Sequence, residues 1–561
     1  MLRSLLTLQR SIQRNTGTTF VRHLNEDRVK RTFQYRIQKH FDEILKKQPE
    51  KNEAVSTRID HLMTDNKPAP RPENFNQEYQ QCQVALANFK EIRDNVVIRE
   101  KLINMDYKLS NILIHLKPHE IFRFLASLSS ISRLELTAME FYEKAMAILI
   151  QLAMTGTLNN HELVQLLYFV SLKSHNQEQI ENLKPFLPDI DDLCLMEKCI
   201  VAWVMQKSSI KLHLRQAKML EKVVEEDFKS IIDDPQLFVP ICKSVIISEA
   251  SDSLCLQKLS DAILTSNKET NNLNFGAVAH TLALYADALI MDSKVVDSLV
   301  KTGVKAIQND MNTNKNMLQI SDVNTFLWSL SHLGTILSLS EKLIVRSFVE
   351  HRWTEYTSKD NLGMLVDSML SLNMLRCWST KLLKICLSEN LFAPVIRRSY
   401  HWKIQTKLQL LIAQISLEMK MRVPKSLVKP LKVGYRISDR LEIVKNVANK
   451  LVARGLISQM IIECPVKAIV IPGVTLITEK EIYHIDVLDN STCLKNTFMP
   501  HGLMNLKLRL LSRLRLRQIM IKADVFNSDI QIVEREIEDI ILLNIKHGSA
   551  LNVKHLISFE V

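Results

Sequence analysis

The sequence predicts a mostly α-helical protein: an α-solenoid of irregular helix-pair repeats, followed by a small C-terminal α/β domain. Glycine is scarce, at 11 of 561 residues, whereas sheet proteins with many tight turns need it. A pattern of paired amphipathic helices also recurs along the chain. Near the C-terminus, short β-branched runs separated by Pro465, Pro472 and Gly473 predict strands.

Residues 1–25 have the composition of a mitochondrial transit peptide. They contain Arg3, Arg10, Arg14 and Arg22 and no acidic residue, and a helical wheel separates leucines from most of the arginines. The uninterrupted apolar block of a secretory signal is missing. An ordinary first helix of the fold is the alternative interpretation. The sequence therefore predicts import into the mitochondrial matrix.

Residues 26–77 are predicted to form a polar helix, over 26–45, and then a proline-rich linker. The pattern from 78 to 420 is helical throughout. No stretch reaches the roughly 18 consecutive apolar residues that a membrane-spanning helix needs. We therefore expect no transmembrane segment.

The helical repeats occupy residues 78–420. Each repeat opens with an apolar helix, turns through a short polar break and continues as a second amphipathic helix. Repeats begin near His119, His161, Gly276, Ser321 and Asp360, and weaker copies begin near Cys194 and Pro240. Because a helix pair cannot bury its apolar face alone, stacked neighbours are expected to complete the core. The variable spacing argues against the pentatricopeptide class, whose one-base-per-repeat code needs a fixed repeat length.

Residues 425–561 are predicted to form the α/β domain. Ser438 is placed as the N-cap of a helix that stops at Gly455. Four strands are predicted in LISQMIIEC, KAIVI, VTLIT and EIYHIDVL. A final helix is expected in IVEREIEDIILLNI.

The sequence contains no known motif for a catalytic residue, a cofactor or a metal site, so none of these is expected. Phosphate-binding glycine loops, GxSxG and the protein-kinase motifs are all missing from the sequence. His119 and His161 begin segments like zinc-protease helices, but Arg123 and Gln165 stand where the second histidine is required. The nine cysteines form no CxxC, and none lies near a histidine pair with ligand spacing, so neither a disulfide framework nor a zinc site is expected.

A basic run without acidic residues lies in the C-terminal domain. From Asn490 to Ala523 there are seven Lys or Arg and no Asp or Glu. Phosphate contact is the favoured interpretation, because arginine binds phosphate through two parallel hydrogen bonds. Solvated charge around a buried core is the alternative, and a membrane-surface helix is disfavoured because leucine and arginine do not separate on a helical wheel. The RNA-binding candidates are Lys507, Arg509, Arg513, Arg515, Arg517 and Lys522.

The same region carries a resemblance to a known family. A strand ending in an acid (EIYHIDVLD), a glycine, the helix start LMNLKLRLL and the strand RQIMIKADVF resemble the RAP module, which closes the FAST kinase domain-containing proteins of mitochondria. Upstream phrases such as TFLWSLSHLG look like the FAST region, so the resemblance covers roughly residues 320–561. It implies RNA binding and control of the processing, stability or translation of mitochondrial transcripts. The implied partners are mitochondrial RNA and proteins of the mitochondrial ribosome or RNA granules.

RAP modules are similar to a compact endonuclease fold, which makes a metal-dependent ribonuclease one alternative. Such a site needs an acid on one strand and an acid-x-Lys on the next. Asp486 and Asp489 are the candidates for the first acid, but Met520 stands two residues before Lys522, where the second is required. Asp486 is therefore expected to cap a strand end or loop, and the protein is expected not to be an enzyme.

An interaction scaffold is the remaining alternative and belongs to another class. The net charge of +12 suits a polyanion but also any basic resident of the matrix. In that case the helical region would serve the assembly of the ribosome or a respiratory complex. Helical repeats bind protein and RNA equally well, so the fold does not separate these hypotheses. The leading function is RNA binding.

The resemblance to RAP modules also implies a helix from Leu503 to about Ser512, after which RLRLRQIMIK leads into a strand. Leu506 and Leu510 are then expected to pack on the sheet. Lys507 and either Arg509 or Arg513 are then expected near the rim of the sheet, where they would be open to phosphate.

Overall fold

The structure is a computed structural model. It describes residues 33–47, 74–88, 95–131, 133–173, 177–226, 234–248, 256–257, 259–261, 274–313, 317–356, 362–392, 402–428, 437–495 and 497–547. The transit peptide predicted at 1–25 and most of the predicted linker lie outside these residues.

The chain divides into two compact units, Met1–Ala250 and Ser251–Val561. In the first unit the described residues form helices and turns, and in the second they form helices and one four-stranded sheet. The prediction of a mostly helical chain with a small sheet near its C-terminus is confirmed. No helix within the described ranges is long and apolar enough to cross a membrane.

The first unit is built from helices that pack on one another in chain order. Its helices are α1 (Phe33–Lys47), α2 (Phe75–Asn88), α3 (Asn95–Ile112), α4 (Pro118–Ile131), α5 (Arg133–Leu136), α6 (Glu140–Met154), α7 (Asn160–Val170), α8 (Gln177–Leu183), α9 (Leu195–Lys207), α10 (Leu214–Glu226) and α11 (Pro235–Ile247). Helix α4 packs on α7, α7 on α9, and α9 on α11, while α1 packs on both α4 and α9. Of the polar helix predicted over 26–45, residues 33–45 are described and belong to α1, whereas α2 begins inside the segment predicted as linker.

Aromatic side chains hold α1 against the rest of the first unit. The rings of Phe41 and Tyr168 meet edge to face with centroids 5.4 Å apart, and Phe41 also lies 6.0 Å from Phe169. All three side chains are buried, so this contact removes a large apolar area from water. At the start of α7, Asn159 and Glu162 form a reciprocal capping box that satisfies two backbone donors.

The second unit joins a set of helices to the sheet. Its elements are α12 (Phe275–Ala288), α13 (Ser293–Thr313), α14 (Ile320–Leu333), α15 (Leu339–His351), α16 (Trp353–Tyr356), α17 (Leu362–Met374), α18 (Thr380–Cys386), α19 (Trp402–Gln414), α20 (Asp439–Ala453), β1 (Gln459–Glu463), β2 (Gly473–Ile477), β3 (Ile482–Leu488), α21 (Gly502–Arg513), β4 (Arg517–Lys522) and α22 (Ile530–His547). Helix α12 packs on α14, α14 on α17, and α17 on α19.

The sheet has the strand order β1-β2-β3-β4. The first two pairings are antiparallel, and β4 lies parallel to β3, with α21 as the connection between them. The register places Val474 beside Ile485, and Asp486 beside Met520. Since side chains alternate along a strand, each face of the sheet collects its own set of residues.

One face of the sheet is apolar and the other is mixed. Leu476, Ile485 and Ile519 lie in an apolar cluster with buried residues of α20 and α22. The opposite face carries His484, Asp486 and other polar side chains, and α21 covers it. The α/β part is thus a sheet between helices, and α21 determines what its polar face contacts.

Several predicted element boundaries are confirmed. Ser438 caps α20 by accepting a hydrogen bond from the Leu441 N–H, and Gly455 follows the helix in a left-handed conformation with φ +74°. The strand predicted in KAIVI is wrong, because residues 467–471 form no strand. Ala468 and Ile469 are apolar because they are buried in a cluster with α21 and α19 side chains, and not because they join the sheet.

Candidate nucleic-acid interface

Helix α21 carries three of the six predicted RNA-binding residues, and a close contact fixes the position of its first residue. Leu506 and Leu510 are buried, but they lie in a cluster with residues of α19 and of the segment after β1, and not with strand residues as predicted. At the first residue, a Cβ added to Gly502 would lie 1.6 Å from the carbonyl oxygen of Ser331 in α14. No other amino acid fits that close approach, so the glycine allows α21 to dock against the end of α14.

Lys507 is not at the rim of the sheet, and this part of the prediction is wrong. Its side chain is 0% exposed, and its ammonium group pairs with Asp486 on β3. The apolar stripe of α21 explains the burial, because Lys507 lies between Leu506 and Leu510 on the buried side of the helix. A buried ammonium group needs a carboxylate partner, and Asp486 is that partner.

The prediction that Asp486 caps a strand end or a loop is also wrong. It lies within β3, is 1% exposed and pairs with Lys507, so it caps neither a strand end nor a loop. Burial alone would raise the pKa of its carboxyl group, but the charge of Lys507, with His484 nearby, outweighs burial and holds the pKa below its usual range. The carboxylate therefore stays ionised at neutral pH.

A small polar cluster surrounds this ion pair. His484 Nδ1 lies 2.9 Å from the Thr475 hydroxyl, and its Nε2 lies 3.6 Å from Asp486 Oδ1, too far for a direct hydrogen bond. A Cβ at Gly473 would lie 2.5 Å from that Nε2 and 2.9 Å from that Oδ1. Glycine at the start of β2 thus provides the space that the cluster occupies.

The register also locates the residue that a nuclease would need beside Asp486. Met520 of β4 is the partner of Asp486 in the parallel pairing. Its thioether offers no carboxylate for a divalent ion. Asp486 and Met520 together do not form the paired acids of such a site.

Arg509 is used within the fold. Its guanidinium donates hydrogen bonds to the carbonyl oxygens of Asn373 and Met374, at the end of α17. It also donates to Glu418 at 3.1 Å, and the two side chains are largely buried. A cation at a helix C-terminus is favourable, so Arg509 joins α21 to α17.

Arg517 also has a partner. It begins β4 and donates two hydrogen bonds to Glu481, at 2.9 and 3.2 Å. This contact is the main reason that the pKa of the Glu481 carboxyl lies below its usual range. Because the pair is exposed, it stabilises the fold little.

Arg513 and Arg515 are the cations that remain open at the end of α21. Both are exposed, and neither forms an ion pair within the described part of the chain. Arg515 has a left-handed conformation, with φ +60°. The Arg515 N–H donates to Ser512 O and the Leu516 N–H to Leu511 O, which is the hydrogen-bond pattern of a Schellman motif.

Lys522 lies at the opposite end of β4. Its ammonium group is 5.3 Å from the ring centre of Phe498, and Phe498 is 44% exposed. This distance is within the range of a cation–π contact. The six predicted residues therefore do not form one patch. Lys507 and Arg509 are used within the fold, and Arg517 is in an exposed ion pair. Arg513 and Arg515 are exposed at the end of α21, and Lys522 is exposed at the far end of β4.

The sequence contains a signal for the burial of Lys507. Leu503, Leu506, Lys507 and Leu510 recur at the spacing of one helix face, so Lys507 belongs to the apolar stripe. The contacts of Arg509 with Asn373 and Met374 span about a quarter of the chain, and no local pattern predicts them.

No protein-family model matches the chain, and no curated protein matches it significantly.

Proposed function

We propose that this protein binds RNA in the mitochondrial matrix and regulates the processing, stability or translation of mitochondrial transcripts. The observation that carries the proposal is the state of Arg513, Arg515 and Lys522. They come from a segment without acidic residues, and all three are exposed with no carboxylate partner among the residues that the structure describes. In a chain with 61 acidic residues, cations left unpaired are available to a polyanion.

The chemistry of these residues suits a flexible phosphate backbone. The guanidinium groups of Arg513 and Arg515 present planar pairs of N–H donors that match phosphate oxygens. Phe498 adds an exposed ring next to Lys522, and aromatic rings beside cations are what proteins use to stack unpaired bases. We therefore infer single-stranded RNA, contacted without base preference, as the ligand of this unit.

We further infer that the helices form an α-solenoid. Within the first unit α4, α7, α9 and α11 pack in succession, and within the second α12, α14, α17 and α19 do the same. These are largely the opening helices of the repeats predicted from sequence. Stacked repeats offer a long surface for an extended ligand, which supports RNA binding beyond the α/β part.

The resemblance to RAP modules supports the same proposal and its mitochondrial setting. The resembling residues form the strand β3, the helix α21 and the strand β4 in that order. The composition of residues 1–25 adds the expected address. Two independent observations thus support the proposal: the exposed cations support RNA binding, and the composition of residues 1–25 supports a mitochondrial location.

The ribonuclease alternative is disfavoured by the contacts of Asp486. A catalytic carboxylate must reach a metal ion and the phosphate, whereas Asp486 is buried against Lys507 and has Met520 beside it. We therefore propose a binding protein and not a hydrolase.

The scaffold alternative has an observation of its own. Leu339 and Leu343 are exposed by 76% and 44% in the first turns of α15, and Ile336, in the loop before this helix, is exposed by 83%. The spacing of Leu339 and Leu343 puts them on one side of the helix, and exposed aliphatic side chains close together in the chain favour contact with another protein. RNA binding and this contact do not exclude each other.

Crosslinking in isolated mitochondria tests the proposed function. RNA covalently crosslinked to the protein by ultraviolet light would be purified with it and sequenced. We expect mitochondrial transcripts to be enriched over a matrix protein that binds no RNA. Protein recovered without crosslinked RNA, together with ribosomal or respiratory-complex subunits, would favour the scaffold instead.

A further inference from the structure

Three helices of the first unit bring together side chains that bind transition metals. His40 lies on α1, His161 lies on the first turn of α7, and Cys194 and Glu197 lie at the start of α9. The sequence analysis predicts no zinc site, because none of these residues has a second ligand at a motif spacing. The fold supplies the neighbours that the sequence spacing lacks.

The start of α9 fixes two of these side chains. Cys194 is the N-cap residue, and Glu197 accepts a hydrogen bond from the Cys194 N–H through Oε2, at 3.1 Å. This capping contact satisfies a backbone donor and holds the carboxylate in place. It leaves Oε1 free to point toward the histidines.

The distances within the cluster match a metal shell. His40 Nε2 lies 3.8 Å from Cys194 Sγ and 3.9 Å from Glu197 Oε1. The three ligand atoms all lie within 4.8 Å of one another. Metal–ligand bonds of zinc imply edges of about 3.3–3.8 Å for a tetrahedron, so small side-chain adjustments would accommodate an ion.

Glu197 shows why a cation belongs here. Its side chain is 1% exposed, and its ion pairs are with the imidazoles of His40 and His161. A buried carboxylate needs a compensating charge. A divalent cation bound between Glu197, His40 and Cys194 would supply that charge.

We propose that His40 Nε2, Cys194 Sγ and Glu197 Oε1 bind a zinc ion. A nitrogen, sulfur and oxygen set at tetrahedral spacing is typical of zinc, a borderline-soft cation. Because Cys194 is exposed, a water molecule can complete the four-coordinate shell.

His161 has a different role in this site. Its Nδ1 lies 2.5 Å from Glu197 Oε1, a hydrogen bond that orients the carboxylate. Metal-binding side chains commonly have such outer partners. His161 is thus a positioning residue, and its loss weakens zinc binding without removing a ligand.

The zinc ion would connect α1 to α9 next to an existing apolar contact. Phe41, the neighbour of His40, already packs against Tyr168 and Phe169. Metal binding to a folded site adds to the free energy of unfolding. The site therefore stabilises the attachment of α1 to the first unit, and it is independent of the proposed RNA contacts.

Metal content and a cobalt spectrum test the proposal on the full chain, purified without a histidine tag. We expect about one zinc ion per chain, as for a single specific site. After removal of zinc, added Co²⁺ should give the absorption of a tetrahedral centre and a thiolate-to-cobalt charge-transfer band. A chain that binds neither zinc nor cobalt at micromolar concentration would overturn the proposal.

Three variants and a control distinguish ligands from neighbours. Cys194→Ala should abolish the charge-transfer band, and His40→Gln should weaken zinc binding more than His161→Gln, for which a loss of roughly 10–100-fold is expected. His213→Gln, an exposed histidine outside the cluster, should bind zinc like the parent. Circular dichroism checks that each variant is folded, and a charge-transfer band that persists in folded Cys194→Ala would contradict the assignment.

Discussion

Lys507 and Asp486 show how a single residue in a basic run can serve the core. Both side chains are buried, and they compensate each other's charge between α21 and β3. Transferring two charges from water costs more than most pairs recover. The pair therefore specifies how α21 lies on the sheet, and removal of one member leaves the other without compensation.

Replacement of one member of this pair should be costly, and replacement of both should not. We expect Lys507→Met to lower the free energy of unfolding by about 3–5 kcal/mol, because Asp486 remains charged and buried. Lys507→Met combined with Asp486→Asn should recover most of that loss. Urea denaturation of the parent, both single variants and the double variant measures the coupling. A double variant as unstable as the sum of the single changes would show that the two residues do not interact.

His332 gives the second unit a pH dependence. Its ring is stacked between Trp328 and His501, with centroids 5.2 and 5.4 Å away. Burial, together with His501, lowers the pKa of His332 to about 4, whereas a histidine in the unfolded chain titrates near 6.5. Since the unfolded state binds the proton more tightly, stability is full above pH 6.5 and falls as the pH drops toward 4.

Between pH 7 and pH 5 we expect His332 to reduce the free energy of unfolding by roughly 1–2 kcal/mol. His332→Gln should make the loss between these pH values smaller by that amount. His351→Gln, at an exposed histidine of α15, serves as the control and should leave it unchanged. Equal pH dependence in the parent and in His332→Gln would contradict the assignment.

Helix ends reveal how a glycine-poor chain folds. Arg376 and Arg515 both have left-handed conformations, with φ of 59° and 60°. Each follows a helix and has the same pair of Schellman hydrogen bonds, at a position where glycine is usual. A residue with a side chain in this conformation costs of order 1 kcal/mol relative to glycine. An arginine at such a position therefore lowers the free energy of unfolding.

Because Arg376 and Arg515 have the same conformation at a helix end, Arg376 serves as the control for a test of Arg515. Arg515→Gly and Arg376→Gly should each raise the free energy of unfolding by roughly 0.5–1 kcal/mol. Only Arg515→Gly should also weaken RNA binding, because Arg376 lies outside the acid-free run. Thermal unfolding and RNA titration of both variants measure the two effects. Equal RNA affinity in the parent and in Arg515→Gly would show that Arg515 faces solvent and does not contact RNA.

Elements were predictable where local chemistry determines them. Ser438 and Gly455 mark the ends of α20 because capping is a matter of a few neighbouring residues. The strand predicted in KAIVI is wrong because an apolar run has the same composition in a strand and in a buried loop. Side chains of α21 and α19 cover this run. Because these helices are not neighbours of the run in the sequence, no local pattern shows that it forms a loop.

The candidate sites differ in the same way. The exposure of Arg513 and Arg515 follows from their place at the end of a predicted helix. The use of Arg509 by α17 and the meeting of His40 with Cys194 depend on contacts between distant helices. The residue types were visible in the sequence, but their partners were not.

For the whole molecule, the proposed mitochondrial location is tested on the N-terminal segment. Residues 1–25 fused to a fluorescent protein should enter mitochondria, because an amphipathic, arginine-rich and acid-free segment is recognised for import. Changing Arg3, Arg10 and Arg14 to Glu should leave the fusion in the cytosol. Microscopy measures both, and mitochondrial fluorescence from the triple variant would exclude this segment's charge as the signal.

The salt dependence of RNA binding tests the central claim most directly. Each phosphate contact on a single strand contributes about 0.7 to the slope of log affinity against log salt concentration, because it releases condensed counterions. Arg513→Gln combined with Arg515→Gln should therefore reduce the slope by about 1.4 and weaken binding to unrelated RNA sequences alike. The control, Arg376→Gln with Arg422→Gln, removes equal charge from exposed arginines outside the run and should keep the parent slope. A folded Arg513/Arg515 variant with the affinity and slope of the parent would contradict RNA binding by this end of α21.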